Sequence, residues 1–141
     1  MSTTKQIARC AVLACSVIAA VPAGAAGLAC KPDVIVTNDK PASIKVLKFK
    51  YKTKVGGEKV FTEGLDNRKL AANGEKETWK SQKLGNAATG VVVTETAIEY
   101  KNDNSGSGDG YGPPETSKWV TRTYACSDAH TYPHTITSAD K

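Results

Sequence analysis

Hydrophobic residues alternate with polar ones along most of the chain from residue 33 onward, which is the period of a β-strand rather than of a helix. The alternation is clearest over Gly90 to Lys101, where Val92, Ile98 and Tyr100 share one face. Turn residues such as Asn73-Gly74 interrupt the pattern at regular intervals. Six or seven short strands with this spacing predict an all-β fold, an antiparallel β-sandwich of immunoglobulin-like type, with a Greek-key β-barrel as the alternative.

The longest predicted strand, Ser43 to Lys54, changes its apolar face part-way along. Ile44 and Val46 lie on one face, whereas the apolar positions from Leu47 to Tyr51 alternate on the other. A β-bulge between Val46 and Leu47, or a strand that crosses between two sheets, would account for this change.

The first 25 residues have the features of an export signal. Lys5 and Arg9 precede an uncharged apolar stretch from Cys10 to Val21, and Pro22-Ala23-Gly24-Ala25 then supplies a helix break and small residues at the spacing of a cleavage site. The apolar stretch is shorter than the ~20 residues that span a bilayer as a helix. We predict a signal peptide over residues 1–25 and a secreted or periplasmic protein.

Two cysteines, Cys30 and Cys126, follow this signal. In an exported protein they are expected to form a disulfide bond. An alternative comes from Leu28-Ala29-Cys30, which loosely resembles the end of a lipoprotein processing site and would anchor the protein to the envelope through Cys30. We place a single β-sandwich domain at residues 26–127 and a polar, flexible C-terminal tail at residues 128–141.

The distribution of charge argues against a nucleic-acid partner. The net charge of the chain is +5, and it falls to +3 when Lys5 and Arg9 leave with the signal. Basic and acidic residues are interspersed, whereas a nucleic-acid-binding domain concentrates its basic residues on one face. A glycan or another protein is therefore the expected partner.

Residues 102–114 form a loop rich in Asn, Asp, Ser and Gly. We expect no cofactor, but Asp103, Ser105 and Asp109 carry oxygen-bearing side chains at alternating positions, which could collect around calcium. Pro114 stands where an EF-hand has its bidentate glutamate, so that specific motif does not match. The alternative is a solvated connection that uses Gly and Asn for its turns.

Four lysines at a spacing of two, Lys48, Lys50, Lys52 and Lys54, share one face of the longest strand, with Lys45 expected on the opposite face. Such a strip could bind an anionic glycan, lipid headgroup or protein. The alternative is that these lysines face solvent and keep the strand from pairing with another sheet.

Aromatic residues could stack on sugars if several were exposed together. Tyr111 lies between two glycines of the loop and is the best candidate for contact with a ligand. Trp79 and Trp119 fall within predicted strands and are expected to pack in the core, while Tyr132 lies in the predicted tail.

The only two histidines, His130 and His134, lie near Asp128 and could bind zinc or copper. A spacing of four places two side chains together on a helix, but Pro133 disfavours a helix here. The alternative is a mobile polar tail without a ligand.

Catalytic motifs are absent from the sequence. Glu95 and Glu99 could form the carboxylate pair of a hydrolase, but on an extended strand they would lie about 13 Å apart. This separation is wide even for an inverting glycosidase. We expect both glutamates to face solvent and assign no catalytic residue.

The sequence therefore predicts an exported, non-catalytic module that recognises an envelope or extracellular glycan or protein through its loops and the basic strand face. One alternative is a structural or assembly subunit, a homo-oligomer that pairs by edge-strand addition. The second alternative is a small secreted hydrolase.

Overall fold

The computed structural model describes residues 27–105 and 110–140, so the predicted signal peptide at 1–25 lies outside the described residues. In these ranges the structure has no helix, and thus none long and apolar enough to span a membrane. The described residues form nine β-strands: β1 (Asp33–Asn38), β2 (Ile44–Thr53), β3 (Phe61–Gly64), β4 (Lys69–Leu70), β5 (Glu75–Trp79), β6 (Val93–Asn102), β7 (Glu115–Thr116), β8 (Val120–Thr121) and β9 (Thr131–Ile136).

The strands make two sheets that pack face to face. The smaller sheet has the order β5-β1-β9, and the larger has the order β3-β2-β6-β7, with β4 beside β2 and β8 beside β6. The predicted β-sandwich is confirmed, and the sheets do not close into the alternative barrel. The described strands exceed the predicted six or seven because β4, β7 and β8 have two residues each. All strand pairs are antiparallel except β1 and β9, which run parallel.

Alternating side chains of both sheets fill the space between them. Phe49 and Tyr51 of β2 are fully buried, and so are Val34 and Val36 of β1 and Tyr132 of β9. The rings of Phe49 and Tyr132 lie 5.6 Å apart and join the two sheets. Apolar burial between the sheets is the main term that stabilises the fold.

The predicted bulge in β2 is confirmed. The pairing of β2 with β6 shifts register between Val46 and Lys48. Because of this extra residue, Ile44 and Val46 point into the core together with Phe49. The bulge also corrects one expectation: Lys45, between two core residues, lies on the same outward side as the four lysines rather than opposite to them.

The prediction of a polar tail over 128–141 is wrong for Thr131–Ile136, which form β9. Tyr132, His134 and Ile136 alternate into the core, and β1 supplies the neighbouring strand. Pro133 suits this place because β9 is an edge strand, where a missing N–H is tolerated. Pro133 is unfavourable in most strands, which is why the sequence did not predict one here.

The predicted disulfide is confirmed: Cys30, before β1, is bonded to Cys126, between β8 and β9. Both cysteines are buried. Disulfides persist in oxidising compartments, so this bond indicates a non-cytoplasmic location.

Two buried tyrosines differ in the hydrogen bonding of their hydroxyl groups, which allows a matched test of the core. Within residues 27–105 and 110–140, the Tyr132 hydroxyl has no hydrogen-bond partner, whereas Tyr100 donates to the Asp140 carbonyl at 3.0 Å. We expect Tyr132→Phe to leave the free energy of unfolding unchanged or raise it by up to about 1 kcal/mol, and Tyr100→Phe to lower it by about 1 kcal/mol. Urea denaturation at pH 7 measures both changes. Equal losses in the two variants would contradict the assignment of an unpaired Tyr132 hydroxyl.

Candidate functional site

The predicted lysine strip lies on the outer face, the side of the larger sheet that points away from the smaller sheet. Lys48 and Lys52 of β2 stand directly opposite Glu99 and Glu95 of β6. Cross-strand neighbours of opposite charge attract each other. The sequence predicted the shared face of the lysines, but it did not predict that glutamates lie between them.

Glu99 neutralises the middle of the strip. Its carboxylate oxygens lie 3.3 Å from Lys48 Nζ and 2.7 Å from Lys50 Nζ. Lys50 also donates a hydrogen bond to Thr116 Oγ1 at 2.8 Å. Partial burial would raise the pKa of Glu99, but hydrogen bonds from Lys50 and Lys48 outweigh it and hold that pKa below its ordinary value. Lys48 and Lys50 are thus committed to Glu99 and do not form a free basic surface.

Lys52 bridges two further carboxylates. Its Nζ lies 2.7 Å from Glu58 Oε2 and 2.8 Å from Glu95 Oε2. Hydrogen bonds with Glu58 and then Glu95 raise the pKa of Lys52. The hydrogen bond between Lys52 and Glu58 also lowers the pKa of Glu58. Lys52 thus links Glu58, in the turn after β2, to Glu95 of β6.

A polar depression of about 450 Å³, hereafter the cleft, opens beside this triad. It lies between the turn after β2 and the strands β6 and β8. The fourth predicted lysine, Lys54, is exposed and lines it. The lining residues are Thr53, Lys54, Gly57, Glu58, Thr94, Glu95, Thr121 and Arg122.

Trp119 flanks the triad and corrects one prediction. Its ring centre lies 5.2 Å from Lys52 Nζ, and the side chain is half-buried, whereas the sequence predicted a core position. Trp119 falls in the connection between β7 and β8, not within a strand. Trp79 behaves as predicted: it is buried, and its Nε1 donates to the Leu65 carbonyl at 3.1 Å.

Two charged residues of the cleft were not predicted from the sequence, Glu58 and Arg122. Arg122 is held by three contacts: Nε donates to Thr96 Oγ1 at 3.0 Å, Nη2 donates to the Pro133 carbonyl at 2.8 Å, and the guanidinium lies 5.6 Å from the ring centre of Tyr132. The Gly56-Gly57 turn brings Glu58 back beside β2. The sequence indicated this turn, but it did not indicate that Glu58 would pair with Lys52.

Tyr111 lies far from the cleft. It forms an isolated β-bridge with Asp103 at the opposite end of the outer face, and its ring centre lies 5.4 Å from Lys45 Nζ. Lys45 and Lys52 are separated by roughly 20 Å along β2, from the rise per strand residue. The structure therefore separates Tyr111 from Lys52 and Lys54, which the sequence had grouped as one binding surface.

Of the predicted calcium ligands, the structure describes Asp103 and Ser105, and the Asp103 carboxylate makes other contacts. Asp103 Oδ1 accepts a hydrogen bond from the Ser105 backbone at 2.9 Å, and Oδ2 lies 3.3 Å from Lys69 Nζ. Hydrogen bonds from Ser105 lower the pKa of Asp103. Asp109 lies outside the described residues. Across 27–105 and 110–140, no group of three His, Cys, Asp or Glu side chains is placed to hold a metal ion.

The two histidines occupy different surroundings. His134 is buried on β9 with its ring 6.1 Å from that of Phe49, whereas His130 packs edge-on against Tyr124 at 4.6 Å. Burial, with a further effect from the charge of Arg122, lowers the pKa of His134 to about 3. Asp128 Oδ1 accepts a hydrogen bond from the Lys31 backbone at 2.8 Å. The three residues predicted as a metal group thus serve other contacts.

No protein-family model and no curated protein matches the sequence. A solved structure described as a Gram-negative toxin matches 77% of this chain at 10% identity, with a TM-score of 0.38. The match covers 21% of that longer chain. At this TM-score the similarity assigns neither a fold family nor a function.

The cleft combines several kinds of polar group within a small volume. Glu58 and Glu95 accept hydrogen bonds, Lys54 and Arg122 donate them, and the threonine hydroxyls of the lining do both. The indole of Trp119 adds an apolar surface beside Lys52. Convergent polar groups next to an aromatic ring are the features of a small-ligand site.

Proposed function

We propose that this protein is an exported, non-catalytic binding module that recognises an envelope or extracellular glycan through the cleft and Trp119. The observation that carries the proposal is the indole ring beside the Lys52 triad. A sugar has an apolar C–H face and a rim of hydroxyl groups. The indole packs against the face, while carboxylates and cations bind the hydroxyls.

The pairing of Lys52 with two carboxylates favours binding over hydrolysis. A glycosidase needs one carboxyl whose pKa is raised so that it can donate a proton. Lys52 does the reverse, since it lowers the pKa of Glu58. Glu95 also lies 2.8 Å from Lys52, and Glu99, its partner in the predicted carboxylate pair, is occupied by Lys50 and Lys48. Carboxylates held in this state act as hydrogen-bond acceptors for a ligand.

The edges of the smaller sheet favour ligand binding over assembly by edge-strand addition. The edge strand β9 contains Pro133, whose carbonyl is already occupied by Arg122. The other edge, β5, carries the charged residues Glu75, Lys76 and Glu77. Proline and charge are the means by which natural sheets resist pairing with a second chain.

An oligosaccharide array, followed by NMR titration of the ligands that bind, tests the proposed cleft. We expect Trp119→Ala and Lys54→Ala each to weaken the wild-type interaction, Trp119→Ala by about tenfold or more, because about 1.4 kcal/mol of binding free energy corresponds to that factor. Lys48→Ala is the charge-matched control, since Lys48 pairs with Glu99 outside the cleft lining.

Thermal melting of each variant separates loss of binding from loss of fold. Wild-type protein that binds no oligosaccharide, or a folded Trp119→Ala variant with undiminished affinity, would contradict the glycan-binding proposal. An equal loss in Lys48→Ala and Lys54→Ala would also contradict it, because that pattern reflects net charge rather than the cleft.

A further inference from the structure

Three lysines form a row across neighbouring strands at the Tyr111 end of the outer face. Lys45 of β2 stands opposite Lys69 of β4 on one side and Lys101 of β6 on the other. The adjacent Ile44 and Leu70 point into the core, so the lysines point outward. Neighbouring strands lie about 4.8 Å apart, so this lysine row spans roughly 10 Å.

Within residues 27–105 and 110–140 the lysine row has a single carboxylate partner, unlike the paired lysines in the rest of the outer face. Lys69 Nζ lies 3.3 Å from Asp103 Oδ2. Lys45 contacts the ring of Tyr111, and within the described ranges neither Lys45 nor Lys101 has a carboxylate partner. Like charges on directly opposite residues repel each other, so the arrangement does not serve the stability of the sheet.

We propose that the lysine row, together with Tyr111, binds the acidic groups of an anionic polysaccharide. A chain with repeating carboxylate or sulfate groups supplies the negative charges that the row lacks, and releases counterions when it binds. The ring of Tyr111, held beside Lys45, offers a surface for the sugar ring. This site lies roughly 20 Å from the cleft, by the rise along β2, and does not depend on what the cleft binds.

The surroundings favour a polysaccharide over an anionic membrane. A protein that docks on a lipid surface combines basic residues with neighbouring apolar side chains that enter the bilayer. The exposed large hydrophobic residues of the described chain are Leu28, Val55 and Val60. Val55 follows the end of β2 that is far from Lys45. The lysine row therefore has charge without an adjoining apolar anchor.

The test compares two triple variants of equal net charge. Lys45→Gln/Lys69→Gln/Lys101→Gln removes the row, and Lys76→Gln/Lys80→Gln/Lys83→Gln removes three exposed lysines from β5 and the loop after it. The probe is polygalacturonate, with neutral dextran as the uncharged comparison, measured by calorimetry over a range of salt concentrations. Tyr111→Ala is measured alongside as a variant that keeps every charge.

We expect the row variant to bind polygalacturonate at least about tenfold more weakly. The number of counterions released on binding, read from the salt dependence of the affinity, should fall by roughly two to three. The control variant should lose no more than about threefold, an effect of net charge alone. Tyr111→Ala should also weaken binding. The row variant should melt no lower than the control variant, because removal of like charges relieves repulsion.

Three results would overturn the proposal. The first is equal loss of affinity in the two triple variants, which indicates a diffuse effect of charge. The second is binding of neutral dextran as tightly as polygalacturonate. The third is tighter binding to phosphatidylglycerol vesicles than to polygalacturonate, abolished by the row variant, which assigns the lysines to a membrane instead.

Discussion

Replacing both disulfide cysteines with alanine is expected to lower the free energy of unfolding by about 3–5 kcal/mol. Cys30 and Cys126 are separated by 96 positions in the chain, so the bond closes a loop that contains almost the whole sandwich. In the chain-entropy model, the stabilisation grows with the size of the closed loop because the cross-link restricts the unfolded chain. Both cysteines are also buried, so the substitutions remove packing contacts.

Urea denaturation of the double variant and of the wild-type protein measures this loss. Wild-type protein treated with a reducing agent is the control, because it keeps the cysteine side chains and loses only the cross-link. We expect reduction to account for most of the difference. A double variant that unfolds within about 1 kcal/mol of the oxidised wild type would show that the closed loop contributes little.

The second large effect is a loss of stability on acidification, caused by His134. An unfolded chain has this histidine near its ordinary pKa of 6.5, whereas the folded chain has it at about 3. Below pH 6.5 the unfolded state therefore binds a proton that the folded state does not accept, and unfolding becomes more favourable. The stabilisation is complete above pH 6.5 and is lost progressively as the pH falls towards 3.

The size of this effect follows from the two pKa values. Each pH unit between them changes the free energy of unfolding by about 1.4 kcal/mol, so we expect a loss of about 2 kcal/mol between pH 7.5 and pH 5. Urea denaturation at several pH values between 7.5 and 4.5 measures the slope. Above about pH 5.5 the lowered pKa values of Glu58, Glu99, Asp103 and Asp140 leave stability unchanged, because these carboxyls are ionised in the unfolded chain as well.

His134→Leu should flatten this dependence, because leucine fills the buried position without a titrating group. His130→Gln is the matched control and should keep the wild-type slope, since His130 lies outside the core beside Tyr124. Parallel slopes for the wild type and His134→Leu would show that another group causes the loss. The charge of Arg122 lowers the pKa of His134 and the charge of Asp140 raises it, so these two residues are the next candidates for the pH dependence.

The features that the sequence predicted well are those set by neighbouring residues. Alternation is a local property of a strand, so it predicted the sandwich, and the change of phase after Val46 predicted the bulge in β2. The shared outward direction of Lys48 and Lys52 also followed from spacing alone. Each of these predictions needed only a few consecutive positions.

The features that it missed depend on pairing between distant segments. Lys48 meets Glu99 because β2 pairs with β6 in one particular register, and nothing in either segment specifies that register by itself. The parallel partner of β1 is a short edge strand interrupted by Pro133, which has no strong strand pattern. The cleft is made by a turn and two strands, and Trp119 lies beside it against Lys52, so the site could not be assembled before the tertiary pairing was known.

The parallel pairing of β1 with β9 also bears on how fast the chain folds. Asp33 is paired with Thr131, so the smaller sheet cannot form until two widely separated segments have met. Contacts of this kind slow folding, because the entropy of closing a long loop is lost before the contacts are gained. The disulfide between Cys30 and Cys126 closes nearly the same loop. Once the disulfide has formed, β1 and β9 are held at a high local concentration relative to each other. The oxidised chain should therefore refold faster than the reduced one.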